Sequence, residues 1–363
     1  MDAPEILDFF FRTGHIPINR GTIFDSEPNA ETAVEFDDIR GMMLGLAVGD
    51  SLGAPTEGML PDRRRSKHGD IRDYQPNRAN GQRTGLPTDD SQMAFWTLEQ
   101  LLEDDGFVAD NVAQCFCEDE IYGIGGSVRE FIRAYKDEGN AWFVAGSQSA
   151  GNGALMRIPA MAIPHITDPG ALWAETALSG MITHNDSASI AACVAYMRIL
   201  WELLQRDRTP DPEWWVDCYT SVARELETDS SHGARDPNIS IQFQGPVWRF
   251  VSEYVPTSYQ QDRTTLEVSN YWYSGAYLLE TVPTALYILM RHGDDPEEAI
   301  VRAVTDTKDN DTVGAIVGAA VGALHGVDAL PKRWRTGLTG RTRANDEGRM
   351  FELLAQAEQQ WNE

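Results

Sequence analysis

The chain has 363 residues, 42% of them hydrophobic, and carries a formal net charge of −26. That length and apolar content support a sizeable core in one large domain or two ordinary ones. An excess of 56 Asp and Glu over 30 Lys and Arg argues against non-specific nucleic-acid binding; it suits solubility or a basic protein partner.

The opening, MDAPEILDFF, lacks the basic and long apolar stretches of a signal peptide. Cys115, Cys117, Cys193 and Cys218 form neither a CxxC pair nor a disulfide framework. Free thiols in a reducing cytoplasm are expected. Residues 1–35 read as an arm: Leu7, Phe9, Phe10 and Phe11 make an apolar patch, and polar sequence punctuated by Pro and Gly follows. Such an appendage either docks on the body, residues 36–363, or engages a partner.

Between Asp37 and Glu57 runs a glycine ladder: Gly41, Gly45, Gly49 and Gly53. Residues four apart share one helix face. Glycine inside a helix costs about 0.5–1 kcal/mol against alanine, so a ladder implies a return, usually the close approach of another helix. Pro61 to Pro87 reads as a long basic loop with Arg63, Arg64, Arg65, Lys67, Arg72, Arg78 and Arg83. It is a solvated loop or a phosphate contact. Thr88-Asp89-Asp90-Ser91 then precedes a helical pattern at Ala94, Leu98, Leu101 and Leu102. GIGGS (123–127) and GNGALMR (151–157) are Gly-rich loops whose backbone N–H groups suit phosphate. Helical pattern from Ala171 to Leu204 breaks at Thr183-His184-Asn185-Asp186. Residues 225–245 read as a surface loop. Helix is expected again from Tyr271 to Met290, with Tyr271, Trp272, Tyr273 and Tyr277 as core or as a stacking surface for a base.

Thr305 to Gly326 has two halves. Asp306, Asp309, Asp311 and Thr312 give an oxygen-rich start, and Gly314, Gly318, Gly322 and Gly326 form a second ladder. The helix dipole favours Asp309 and Asp311 as ionised groups. Ionised carboxylates with a Thr hydroxyl are hard oxygen donors, suited to Mg²⁺, Mn²⁺ or Ca²⁺. The spacing does not fit an EF-hand, and the apolar run is too short to span a membrane. The first ladder runs toward its acids (Asp50, Glu57) and the second starts from its own. An antiparallel or crossed pair therefore brings the acidic ends together. With TDDS added, the oxygens suffice for two hard cations. An amphipathic helix over Glu347–Gln360 closes the chain, and the whole reads as an almost all-helical domain.

Five motifs in one order then match a known family: GMMLGLAVGDSLGAPTEG (41–58), TDDSQMAFWTLEQLL (88–102), GNGALMRIPAMAI (151–163), ITHNDSAS (182–189) and DNDTVGAIVGAAVGALHG (309–326). On these the chain resembles the ADP-ribosylglycohydrolases, which include dinitrogenase reductase-activating glycohydrolase and ADP-ribosylarginine hydrolase. The resemblance implies an all-α, orthogonal multi-helix bundle with a binuclear metal site, two Mg²⁺ or Mn²⁺. It implies Thr88, Asp89, Asp90, Asp309, Asp311 and Thr312 as metal ligands and Glu57 as an acidic gate. Gly151, Asn152, Gly153, Met156 and His184 match positions lining the ADP-ribose site. Water activation falls to Glu57, Asp89, Asp90 or Asp309. The implied activity is hydrolysis of ADP-ribose from arginine of modified proteins; serine-linked or other ADP-ribosyl compounds are the alternative substrates.

Two departures stand out. TKDNDT replaces the family's usual GGDTDT, so Thr307, Lys308 and Asn310 are this chain's own. Some 35 residues precede the first ladder. The chain looks like bacterial immunity-type hydrolases that oppose ADP-ribosyltransferase effectors; the alternative to hydrolysis is that residues 1–35 bind and block such a transferase. A cytoplasmic monomer is expected, with an ADP-ribosylated protein as substrate and neither nucleic acid nor membrane as partner.

Overall fold

The computed structural model describes residues 1–29, 32–235, 239 and 241–362. In chain order the helices begin with α1 (Ala3–Thr13), α2 (Phe36–Gly53), α3 (Pro61–His68), α4 (Asp89–Asp104), α5 (Ala109–Cys115) and α6 (Gly126–Ile132). Next come α7 (Trp142–Ala145), α8 (Leu172–Thr183), α9 (Ser187–Leu203), α10 (Pro212–Leu226), α11 (Val247–Gln260) and α12 (Thr265–Trp272). The last are α13 (Leu278–His292), α14 (Pro296–Asp306), α15 (Asn310–His325), α16 (Lys332–Gly337) and α17 (Arg349–Trp361). Strand is confined, among the described residues, to the antiparallel pair β1 (His232–Gly233) and β2 (Gln244–Gly245), with isolated bridges elsewhere. No described helix is long and apolar enough to cross a membrane. The expected all-α architecture is what the chain adopts.

The two glycine ladders form its axis. α2 and α15 run antiparallel, with Gly41 against Gly322, Gly45 against Gly318 and Gly49 against Gly314. A methyl group built at Gly45 would strike the Gly318 carbonyl oxygen, and one at Gly318 would strike that of Gly45. The bare stripes thus let backbone meet backbone. Each Cα–H facing a carbonyl across the seam contributes about 0.5–1 kcal/mol, which offsets the entropy glycine loses in a helix. α15 is buried from Asn310 to Leu324 and packs also on α14, α13 and α9. It is the central rod around which the core is built.

Two expectations are corrected. The basic segment 61–87 is not a plain solvated loop. Its first turns are α3, and Arg64 is fully buried. The Arg64 guanidinium donates to Thr56 Oγ1 (2.9 Å), Thr56 O (3.1 Å), Met59 O (3.0 Å), Thr305 O (3.2 Å) and Thr307 O. Its role is to tie the chain after α2 to the turn before α15. Arg63, Lys67, Arg72, Arg78 and Arg83 stay exposed.

The helix expected over 271–290 is two helices. Tyr273 (φ 83°) and Ser274 (φ 44°) break it in left-handed backbone, and Gly275 follows. Tertiary bonds hold this break. Asp309 N donates to Ser274 O (3.0 Å), and Lys308 N donates to Ser274 Oγ (2.9 Å). Hydrophobic periodicity continues across the turn, so it carried no warning.

The arm takes the first of its two expected courses and docks on the body. Leu7, Phe10, Ile16, Ile18, Ile23 and Val34 are buried in the main core, and α1 packs on α8. The interruption at 184–186 occurs where expected, with Asp186 capping α9 by accepting from Ser189 N (3.1 Å). In the polar stretch 225–245, residues 236–238 and 240 lie outside the described residues, as do 30 and 31 of the arm.

Candidate active site

The antiparallel seam carries the C-terminal end of α2 to the N-terminal end of α15. A Cβ at Gly53 would fall 2.5 Å from Asp311 Cα. α4 starts alongside, and Asp50 joins it to α2. The Asp50 carboxylate accepts from Thr88 N (2.9 Å), Thr88 Oγ1 (2.5 Å), Ser91 N (3.2 Å) and Ser91 Oγ (2.5 Å). Thr88 makes no side-chain cap of its own. The N-terminus of α4 is therefore capped from another helix, with the Thr88 and Ser91 N–H groups satisfied by Asp50. Asn310, one of this chain's departures, locks the same corner. Its Nδ2 reaches Gly53 O (3.0 Å), Thr56 Oγ1 (3.1 Å) and Val304 O (2.9 Å).

A cleft of about 170 Å³ opens at this convergence. One wall carries Glu57, Asp89, Asp309, Asp311 and Thr312; the other carries Gly151, Asn152, Gly153, Met156 and His184. Asn152 Nδ2 bridges the two walls, donating to Asp309 Oδ2 (2.6 Å) and to Thr281 Oγ1 (3.0 Å). The glycines at 151 and 153 are required by His184. A Cβ at Gly153 would approach His184 Cε1 to 2.9 Å. The GIGGS loop closes a third side through Gly123, Gly125, Gly126 and Ser127. Gly123 sits in left-handed backbone (φ 83°) against the Asp89 carboxylate.

The electrostatics are lopsided. Among the described residues, Asp89, Asp90, Asp309 and Asp311 form no ion pair with a basic side chain. Burial pushes Asp89 up to about 8 and Asp309 up to about 6, with neighbouring carboxylates adding to the shift. Burial first, and then like charge, raises Asp90 and Asp311 further. Desolvation thus works against the helix dipole at Asp311, while Asp309, at about 6, stays mostly ionised at neutral pH. On the opposite wall, burial and then the buried Arg157 guanidinium push His184 down to about 3, so it is neutral. Arg157 donates to Ser179 O (2.7 Å), Ser179 Oγ (3.0 Å) and Thr183 Oγ1 (3.1 Å), fixing the end of α8 that carries His184.

Ten of the twelve predicted ligand, catalytic and substrate-lining residues line this cleft; Thr88 and Asp90 do not. Thr88 is engaged with Asp50, and Asp90 lies beneath the wall at 1% exposure. Asp306 faces elsewhere, paired with Arg302 (2.9 Å) and Arg65 (2.7 Å). None of Tyr271, Trp272, Tyr273 and Tyr277 lines the cleft. Trp272 is core, Tyr273 lies beneath Lys308, and Tyr277 Oη pairs with His232. Val128 and Ala276 were invisible in sequence, and Asp50's capping role was unread because its partners lie 38 and 41 residues away.

Comparison with known proteins bears on the family of the chain. The ADP-ribosylglycohydrolase family model matches residues 31–363. The chain is 26% identical over 324 residues to ADP-ribosyl-[dinitrogen reductase] glycohydrolase of Rhodospirillum rubrum, covering 88% of this chain and 97% of that protein. It is 25% identical to ADP-ribosylhydrolase ARH3 of Xenopus tropicalis, covering 87% and 95% of the two chains. It is also 25% identical to ADP-ribosylarginine hydrolase Tri1 of Pseudomonas putida, covering 82% and 73%. A solved ADP-ribosylglycohydrolase-related protein complex shares the fold with a TM-score of 0.67 at 24% identity, covering 90% of this chain and 98% of that one. A match across more than nine-tenths of the sequence, on a cleft built from those same motifs, shows that the chain belongs to the ADP-ribosylglycohydrolase family.

Proposed function

We propose that this chain is a cation-dependent hydrolase that removes ADP-ribose from arginine of modified proteins, reversing an ADP-ribosyltransferase. The observation that carries the reading is the cleft itself: carboxylates from three separate segments (57, 89 and 309–311) face a wall of Gly151, Asn152, Gly153 and neutral His184. Glycines at 151 and 153 bring backbone amides to the surface, which suits a pyrophosphate.

The donor set fits hard divalent cations, two Mg²⁺ in this reading, with Mn²⁺ as a substitute. Asp90 Oδ1 is buried without a hydrogen-bond partner, and the acids around it lack basic counterparts. Among the described residues no three acidic, imidazole or thiol groups are gathered as a finished cation site. Thr88, Asp89, Asp90, Asp309, Asp311 and Thr312 are the proposed ligands. Cations bound there supply positive charge that orients the ribose hydroxyls and a water.

The chain's own groups do the rest. Asn152 holds Asp309 against the cleft. Glu57, half-exposed at the mouth, positions water or accepts its proton, with Asp89, Asp90 and Asp309 as the competing candidates. The cleft carboxylates, in their ionised form, favour an oxocarbenium-like transition state and a protonated guanidinium leaving group.

A second reading, hydrolysis of serine-linked or another ADP-ribosyl linkage, is supported by relatives named ARH3, which match as well as those named for arginine. A third, blockade of a transferase by residues 1–35, has less support because Leu7, Phe10, Ile16, Ile18 and Ile23 of the arm are buried, with Phe9 left exposed. The test is release of ADP-ribose from arginine-modified protein with Mg²⁺ and with EDTA. Metal-dependent release that is lost in a folded Asp309→Ala variant supports the proposal. Release by Asp309→Ala at the wild-type rate refutes it, and release only from serine-modified protein selects the second reading.

A further inference from the structure

The family match begins at residue 31, yet the arm before it reaches the cleft wall. Phe10 packs its ring 5.6 Å from Trp142 and 5.1 Å from Phe143, centroid to centroid. His15 meets Phe143 edge-on at 5.1 Å. Asn185, the residue after His184, donates from Nδ2 both to His15 O (3.2 Å) and to Phe143 O (3.3 Å). One amide therefore clamps the arm, α7 and the His184 turn together. From there the path to the cleft is short. Ser147 N donates to Thr183 O (3.0 Å), Ser147 bridges His184 in parallel, and His184 lies against Gly151 and Gly153. A separate anchor holds the arm's other end, where Thr22 N and Oγ1 both donate to Glu225 Oε2 (2.8 Å each).

We infer that residues 1–29 of the arm are a built-in brace of the substrate cleft: through Phe10, His15 and Asn185 they fix the 146–153 and 183–185 wall. The arm is a positioning element, and its loss loosens the wall that would hold the ADP-ribose while leaving the acidic wall on α4 and α15 in place. The alternative expectation, an arm held ready for a partner, would need that same surface to be free.

The naming of ADP-ribose as the ligand rests on the proposed function, so the test has a ligand-free arm. Amide hydrogen exchange is measured on full-length wild type, Phe10→Ala, Asn185→Ala, the double variant and Glu225→Gln. Exchange at 146–153 and 183–185 should rise about tenfold in the first two variants, since local opening reports local contacts. The double variant should be no worse than the single ones, because both changes break one clamp. Residues 309–312 should be unchanged, and Glu225→Gln should leave the wall protected. In parallel, ADP-ribose affinity should fall about tenfold with kcat within about twofold, the pattern of lost binding rather than lost chemistry.

Unchanged exchange at the wall in folded Asn185→Ala overturns the inference, even if Phe10→Ala fails to fold. Equal loosening by Glu225→Gln also overturns it, because the arm would then act as general packing. If wild type binds no ADP-ribose, the functional reading fails and the exchange result still decides the brace.

Discussion

Asp50 offers the sharpest test of how the site is assembled. Replacing it with alanine orphans two backbone N–H groups, Thr88 N and Ser91 N, at a buried helix start. The two hydroxyls it also accepts from can turn elsewhere. Each orphaned buried donor costs about 1–3 kcal/mol, so the gross loss is about 2–6 kcal/mol. Removing a charge that raises Asp89 and Asp90 returns part of this. A net loss of about 2–4 kcal/mol is expected. Unfolding entropy near 2.1 cal/mol/K per residue gives about 0.8 kcal/mol/K for this length, so the melting temperature should drop about 3–5 °C. Asp50→Asn keeps a carbonyl oxygen for both N–H groups and relieves the same repulsion. It should melt within about 1–2 °C of wild type. The assay is calorimetry at pH 8 in EDTA, with amide exchange at 88–91 as the local readout. An alanine variant as stable as wild type, or an asparagine variant as damaged as alanine, would refute the trans-capping account.

Other consequences are equally direct. Gly318→Ala forces a methyl into Gly45 O, where both partners are backbone, so it should cost more than the usual 1–3 kcal/mol of overpacking and be read as lost soluble yield or a lowered melting temperature. Arg64→Leu leaves its five oxygen acceptors without their donor and should destabilise by about 3–5 kcal/mol, and Arg64→Lys should not rescue it because one ammonium cannot reproduce the guanidinium fork. Burial, with Glu35, Asp37 and Asp207, pushes Asp38 up to about 6. The folded state thus holds its proton more tightly than the unfolded chain, so stability is lost as pH rises from about 4 through about 6. Asp38→Asn should raise the melting temperature at pH 8 and leave it unchanged at pH 3.5; equal effects at both values would contradict the shift.

How much was legible follows from the range of each signal. The two ladders could be read because a four-residue period is local, and their pairing followed because only a bare stripe makes sense of several helical glycines. Ten of the cleft residues were found because they sit in short motifs beside those helices. Contacts that link distant segments left no such trace. Arg64 looked like one more base in a basic run, and only its burial beneath Thr305 and Thr307 reveals its function. The break at Tyr273–Ser274 is held by Lys308 and Asp309, which are more than 30 residues further on. Where the arm docks was not readable for a similar reason: its tie to Asn185 runs through a backbone carbonyl, His15 O, which no side-chain pattern encodes.

Buried carboxylates of one sign destabilise the protein that holds them, and the fold meets that cost with rigidity. α4 and α15 both point their N-termini at the cluster, where the helix dipole offsets some of the repulsion. The offset is partial, since Asp89 and Asp309 are still held well above the usual carboxylate range. What keeps them facing one cleft is the α2–α15 seam, where helix backbones touch and neither can rotate without a clash. Asp50 transmits that rigidity to α4, and Asn310 to the turn after α2. A looser seam with alanines in place of glycines would suit helix propensity better. It would also separate the helices and let the acids move apart into water. The glycine ladders therefore belong to the chemistry as much as to the fold: they hold the acids together where solvation alone would scatter them.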